Sequence, residues 1–76
     1  MQIRTRETSP DDWLDQMFAA RAVQRGGVVR RSFAWVEREV GQERFLSAVR
    51  ARGFRVIETA GQYVIICNNG PIRILF

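Results

Sequence analysis

The sequence predicts an α+β fold in which three helices pack on one small antiparallel sheet. Two apolar stripes that flank Gly41 indicate a pair of helices. A capping signal at Ser9 indicates a helix before this pair, and alternating apolar residues after the pair indicate strands. With 76 residues, the chain can form one domain with a small core. We expect residues 1–8 to be an N-terminal arm and residues 9–76 to be this single domain.

The first helix is predicted to begin after Ser9 and to run to about Arg25. Ser9 is a favourable N-cap, Pro10 suits the first helical position, and acidic residues follow in the first turn. Gly26 and the next glycine are expected to end the helix. Its apolar stripe consists of Trp13, Leu14, Met17 and Phe18.

The next two helices are predicted on either side of a turn at Gly41, with Ser32 as the N-cap of the first. Successive helical residues are about 100° apart, so one straight helix would point Val40 and Val49 to opposite sides. A turn at a glycine lets both helices face one core. One continuous helix with a buried glycine is the alternative. The two stripes consist of Phe33, Val36 and Val40, and of Phe45, Leu46 and Val49.

Four strands are predicted, at residues 28–31, 54–59, 63–67 and 72–76. The third is apolar at every position from Tyr63 to Cys67, which indicates a strand in the centre of the sheet or covered on both faces. A tight turn at Ala60 and Gly61 precedes it. Residues 68–71, with the sequence Asn-Asn-Gly-Pro, are a hairpin signal before the last strand.

The order helix, strand, helix, helix, strand, strand resembles the winged-helix family. The resemblance lies in Val28 to Arg31, in AWVEREVGQERFLSAVRARGF and in the hairpin RVIETAGQYVIIC. It implies a helix-turn-helix followed by a β-hairpin "wing", here with an extra C-terminal strand. The family usually has a small residue four places before the turn glycine, where this chain has Glu37. The chain also resembles short uncharacterised bacterial proteins with similar VVRR, VEREVG, RGF and CNNGPIRIL segments and no assigned activity.

The charge distribution points to an anionic partner on one side of the molecule. The net charge is +4, carried by twelve arginines and no lysine. Nine arginines but only three acidic residues lie between Arg21 and Arg55, whereas residues 7 to 15 contain four acids. Such asymmetry suits a nucleic acid. The alternative is an ordinary solvated surface.

Catalytic and metal-binding functions find little support in the sequence. The chain has no histidine, which removes the commonest general base near neutral pH and a common metal ligand. The only cysteine, Cys67, ends an apolar strand and is expected to be a buried, chemically quiet thiol. We therefore expect no enzyme activity, cofactor or metal. No apolar run approaches the roughly 20 residues of a membrane span, and a cytoplasmic location is expected.

Weak binding to duplex DNA is the function we expect, because the resemblance implies that the second helix of the pair enters a major groove. A non-enzymatic protein-interaction or dimerisation module, acting through the C-terminal strand, is the alternative. In the DNA-binding hypothesis the helix supplies three contacts, other arginines contact the backbone and a glutamine lies at the wing. The candidate residues are Arg44, Ser47 and Arg50 on the helix, then Arg30, Arg31, Arg55 and Gln62.

Overall fold

The computed structural model describes residues 9–76, so the predicted N-terminal arm lies outside the described residues. The described chain is an α+β domain with four helices and a three-stranded antiparallel sheet. The elements in chain order are α1 (Pro10–Phe18), α2 (Arg21–Gln24), β1 (Val28–Ser32), α3 (Phe33–Glu39), α4 (Gln42–Ala51), β2 (Arg55–Thr59) and β3 (Gln62–Ile66).

The first helix starts as predicted but is split. The Ser9 hydroxyl accepts a hydrogen bond from the Asp12 amide at 3.1 Å, whereas α1 ends at Phe18 and the backbone is extended at Ala20. The prediction of one helix to residue 25 was therefore wrong. A straight helix would have turned Arg21 toward the core and Val23 away from it. The break buries Val23 and leaves Arg21 exposed.

The predicted turn at Gly41 is confirmed. Gly41 has φ 95° and ψ 142°, and a Cβ added there would meet nothing within 4 Å, so only the backbone conformation requires glycine. Ser32 caps α3 by accepting a hydrogen bond from the Trp35 amide at 3.1 Å. The Glu37 carboxylate accepts a hydrogen bond from the Gln42 amide at 3.2 Å. Glu37 therefore caps the first amide of α4, although a helix-turn-helix usually has a small residue at this position.

The sheet has the order β1-β3-β2, so β3 is the central strand, as its continuous apolar sequence predicted. Both pairs are antiparallel, and Ile65 lies opposite Val29 on β1 and Val56 on β2. Successive side chains of a strand point to opposite faces. Ile65 and Tyr63 are buried, which places this row on the face covered by the helices.

The core beneath the sheet contains a chain of aromatic contacts between four elements. The ring of Phe45 on α4 lies 6.4 Å from that of Trp13 on α1 and 5.0 Å from that of Tyr63 on β3. Tyr63 in turn lies 4.6 Å from Phe33 on α3. Phe45 has no exposed surface and forms the centre of this chain. The buried residues are Trp13, Leu14, Met17, Phe18, Val23, Val36, Phe45, Val49, Tyr63, Ile65 and Cys67.

The predicted C-terminal strand is absent, and its prediction was wrong: residues 67–76 form neither helix nor strand. β3 is paired on both sides, so no edge of it remains for a further hairpin partner.

Residues 68–71, predicted as a hairpin turn, instead form a turn that the side chain of Asn68 closes. The Asn68 amide nitrogen donates to the Gly26 carbonyl at 2.9 Å, and its oxygen accepts from the Gly70 amide at 2.9 Å.

The turn between β2 and β3 offers a stabilising substitution. Ala60 has φ 50° and Gly61 has φ 76°, the pair of positive angles found in type I′ hairpin turns. Asparagine tolerates this region better than alanine, so Ala60→Asn is expected to raise stability by about 0.5 to 1 kcal/mol. For a domain of this size that raises Tm by roughly 4 °C in a thermal melt.

The control is Ala34→Asn, at an exposed position of α3. Asparagine is a poorer helix former than alanine, so this variant is expected to melt at a lower temperature than the wild type. Equal changes in Tm for the two variants would contradict the positive-φ explanation.

Candidate nucleic-acid interface

Helix α4 presents the predicted residues to solvent. Phe45 and Val49 are buried, whereas Arg44, Ser47 and Arg50 are exposed. This orientation follows from the 3.6-residue period of the helix, since the buried pair is four residues apart. Candidate residues at the two ends of α4 nevertheless lie in different surroundings.

The N-terminal end of α4 borders a groove at the α3–α4 turn, which we call the turn groove. Arg44 and Ser47 line it together with the two acids Glu37 and Glu43. The Arg44 guanidinium lies 3.5 Å from the Asp11 carboxylate of α1. Within residues 9–76, Arg44 is the one arginine that lines the groove, and it is paired with Asp11 while two further carboxylates are close. This end of α4 is therefore a poor site for phosphate.

The C-terminal end of α4 borders a second depression, which we call the arginine cleft. Arg50, in the last turn of α4, and Arg55, the first residue of β2, both line it. Of the residues that the structure describes, none with an acidic side chain lines this cleft. Its remaining lining is apolar and consists of Leu46, Val49, Phe54, Val56 and Ile72.

One face of the sheet is not covered by the helices, and we call it the open face. The strand register places Arg30 beside Val64 and Ile57, and Arg55 beside Ile66 and Val28. The three strands thus give this face two arginines and no acid, with four aliphatic side chains between the arginines. Its side chains are Val28, Arg30 and Ser32 of β1, Gln62, Val64 and Ile66 of β3, and Arg55, Ile57 and Thr59 of β2.

Arg31 is separated from the other candidate residues. It lies opposite Tyr63 in the register and therefore points to the helix side of the sheet. Its guanidinium carbon lies 5.7 Å from the centre of the Trp35 ring. The guanidinium also donates a hydrogen bond to the Arg30 carbonyl. These contacts within the domain account for Arg31 without a role in DNA binding.

Gln62 is the first residue of β3 and is half-buried, with Ser32 and Thr59 as its neighbours across the strands. It therefore lies on the open face. The tip of the hairpin is formed by Ala60 and Gly61, which carry no group for reading a base. The wing accordingly offers little for sequence recognition.

Two further arginines, Arg52 and Arg38, contact other side chains of the domain. The Arg52 guanidinium carbon lies 3.9 Å from the centre of the Phe18 ring, a contact between the C-cap of α4 and the last residue of α1. Arg38 lies 3.3 Å from the carboxylate of Glu39. The Arg38–Glu39 neighbours are visible in the sequence, whereas no local pattern connects Arg52 with Phe18.

The predicted burial of Cys67 is confirmed: the residue is 4% exposed. Burial raises the pKa of the Cys67 thiol above its ordinary value, and the positive charge of Arg31 opposes this rise. No group of three or more histidine, cysteine or acidic residues within residues 9–76 is arranged to hold a metal ion. Over the same residues, no helix has the length and apolar character needed to cross a membrane.

No protein-family model matches the sequence. Neither a curated protein nor a solved structure matches it at a significant level.

Proposed function

We propose that this domain is a winged-helix-like module that binds the backbone of duplex DNA weakly, through Arg30, Arg50 and Arg55. The arrangement of elements supports this proposal. A pair of helices joined at Gly41 precedes the β2–β3 hairpin, and β1 joins the hairpin to give the order β1-β3-β2. From β1 onward this order agrees with the one that the winged-helix resemblance implies, and the proposal gives α4 the place of the recognition helix; the division of the first helix into α1 and α2 departs from it.

The observation that carries the proposal is the position of three unpaired arginines on two surfaces that lack acids among the described residues. Within residues 9–76, Arg38 and Arg44 form ion pairs, whereas Arg30, Arg50 and Arg55 form none. These three are exposed: Arg50 lines the arginine cleft, Arg30 lies on the open face, and Arg55 borders both. Among residues 9–76, neither surface contains an acid, so a phosphate that approaches either one meets arginine without a neighbouring carboxylate.

The expected mode of binding is contact with phosphates rather than with base edges. Arginine forms charge-assisted, often bidentate hydrogen bonds with phosphate oxygens. Sequence readout would need polar side chains at the N-terminal end of α4, and there the acids Glu37 and Glu43 flank Arg44. Binding is thus expected to depend strongly on salt and weakly on sequence.

The test is a titration of a fluorescent 20-base-pair duplex at several salt concentrations between about 50 and 200 mM. Three neutralised phosphates predict a slope of log K against log[salt] of about −2.7. Arg50→Ala and Arg55→Ala are each expected to weaken binding about five- to tenfold at low salt and to reduce the slope by about one.

Arg52→Ala is the matched control, because it removes the same charge from the same end of α4 but from a side chain that lies over Phe18. Arg44→Ala tests the turn groove, and its effect is expected to be smaller than that of Arg50→Ala. The proposal is wrong if the wild type does not bind at 50 mM salt. It is also wrong if removing Arg52 weakens binding as much as removing Arg50.

A further inference from the structure

The last residues of the chain leave the domain as an apolar tail, defined here as residues 72–76. Ile74 is 87% exposed and Leu75 is 75% exposed, and Phe76 is fully exposed. Among residues 9–76, no hydrogen-bond partner is found for the backbone of this tail. Monomeric proteins rarely leave several large apolar side chains together in water, so such a segment marks an interaction site.

The same molecule exposes a second apolar surface on the open face. Ile57 is 47% exposed and Val28 is 54% exposed, and Val64 and Ile66 lie between them on the central strand. These four side chains form one continuous aliphatic surface. An apolar tail could cover this surface, as the helices cover the opposite face of the sheet.

The tail begins on the helix side of the sheet, away from the open face of its own molecule. Ile72 lines the arginine cleft beside Val49 of α4 and Val56 of β2, which are on the helix side of the sheet. To reach Ile57 on the other face, the tail of the same chain would have to pass around β2, the edge strand. A second molecule can meet the tail without this detour.

We propose that two copies of this chain associate with the apolar tail of each packed on the open face of the other. A reciprocal contact of this kind has twofold symmetry, in which both copies contribute the same two surfaces. An aromatic side chain can bury about 150 to 250 Å², and Phe76 is the one aromatic residue of the tail. Two such tails with their aliphatic neighbours make a contact at the low end of specific interfaces, roughly 1,200 Å² or less, which predicts a weak dimer. The contact covers aliphatic side chains that lie between Arg30 and Arg55, so DNA and a second copy would compete for the open face. Both tests below are therefore made without DNA.

The first test is the mass of the protein in solution over concentrations from about 1 μM to 1 mM, measured by sedimentation equilibrium. The wild type is expected to form a dimer in this range. Ile74→Asp and Ile57→Asp each place a charge in both copies of the contact, so each is expected to raise Kd about a hundredfold. Ala34→Asp, which adds the same charge at an exposed position of α3, is expected to leave Kd unchanged. Circular dichroism and Tm at low concentration report whether each variant is folded.

The second test distinguishes a tail-on-face contact from contact between two tails. The Ile74→Cys variant is mixed with the Ile57→Cys variant under mild oxidation. The expected product is a mixed dimer in which a disulfide links one chain of each variant. Native Cys67 is buried and should not compete in folded protein. The control mixture replaces the Ile57→Cys chain with Ala34→Cys.

Three results would overturn the proposal. One is a wild-type protein that stays monomeric at 1 mM. Another is a dimer that Ile74→Asp leaves intact. The third is equal cross-linking of Ile74→Cys with the open-face chain and with the α3 control chain. Loss of DNA binding alone would not affect it, since both tests are made without DNA.

Discussion

Replacing Phe45 with alanine is expected to abolish cooperative folding at 25 °C, or to bring the domain close to its unfolding midpoint. Phe45 is fully buried and its ring contacts Trp13 and Tyr63. Removing a core phenylalanine typically costs about 3 to 5 kcal/mol. A domain of this length has a total stability of roughly 4 to 11 kcal/mol. The loss of this one side chain is thus expected to remove much of the free energy of unfolding. The measurement is a urea titration followed by circular dichroism.

The matched control is Phe76→Ala, which removes the same side chain from an exposed position. Measured at a concentration where the protein is monomeric, this variant is expected to change stability by less than about 0.5 kcal/mol. Phe45→Leu retains much of the volume and is expected to be folded but less stable than the wild type. A Phe45→Ala protein with wild-type stability would show that the aromatic chain does not hold the core together.

Gly41→Ala is expected to destabilise the domain by about 2 kcal/mol, through backbone strain alone. The angles at Gly41 lie close to a region that only glycine populates readily, where other residues cost about 1 to 3 kcal/mol. There is open space around the missing Cβ, so a steric clash does not contribute. The measurement is the free energy of unfolding in urea.

Ser47→Ala is the control for the substitution itself, because Ser47 lies on the exposed side of α4. Its effect is expected to stay within about 0.5 kcal/mol. If Gly41→Ala also stays within that range, the turn between α3 and α4 can adopt another conformation. The claim that glycine fixes the direction of α4 would then be wrong.

Much of the fold was predictable because its signals are local. The opposed stripes around Gly41 and the cap at Ser32 identified α3 and α4, and the continuous apolar run from Tyr63 identified the central strand. The split of α1 from α2 was not predicted, although the sequence contains a signal for it: Arg21 and Arg25 fall on the apolar side of a straight helix. The C-terminal strand was mispredicted because alternation shows what a segment can form but not whether a sheet edge is available.

The candidate site was less predictable, because the partners of arginines are distant in sequence. Counting charges suggested that the arginines between residues 21 and 55 formed one surface. In the structure, Arg44 forms an ion pair with Asp11, and Arg52 and Arg31 lie over the rings of Phe18 and Trp35. All three contacts join different elements. Pairing of this kind depends on how the helices pack, and composition does not contain that information.

The contact between the two tryptophans also makes the domain optically informative. Trp13 of α1 is buried while Trp35 of α3 is half-exposed, and their rings meet edge to face at 5.4 Å. One indole therefore senses the interior and the other senses the solvent, and their close approach couples their electronic transitions. Undocking of α1 would separate the rings and change the intrinsic fluorescence and the near-ultraviolet dichroism together. The native protein thus contains its own spectroscopic probe of whether its first helix is in place.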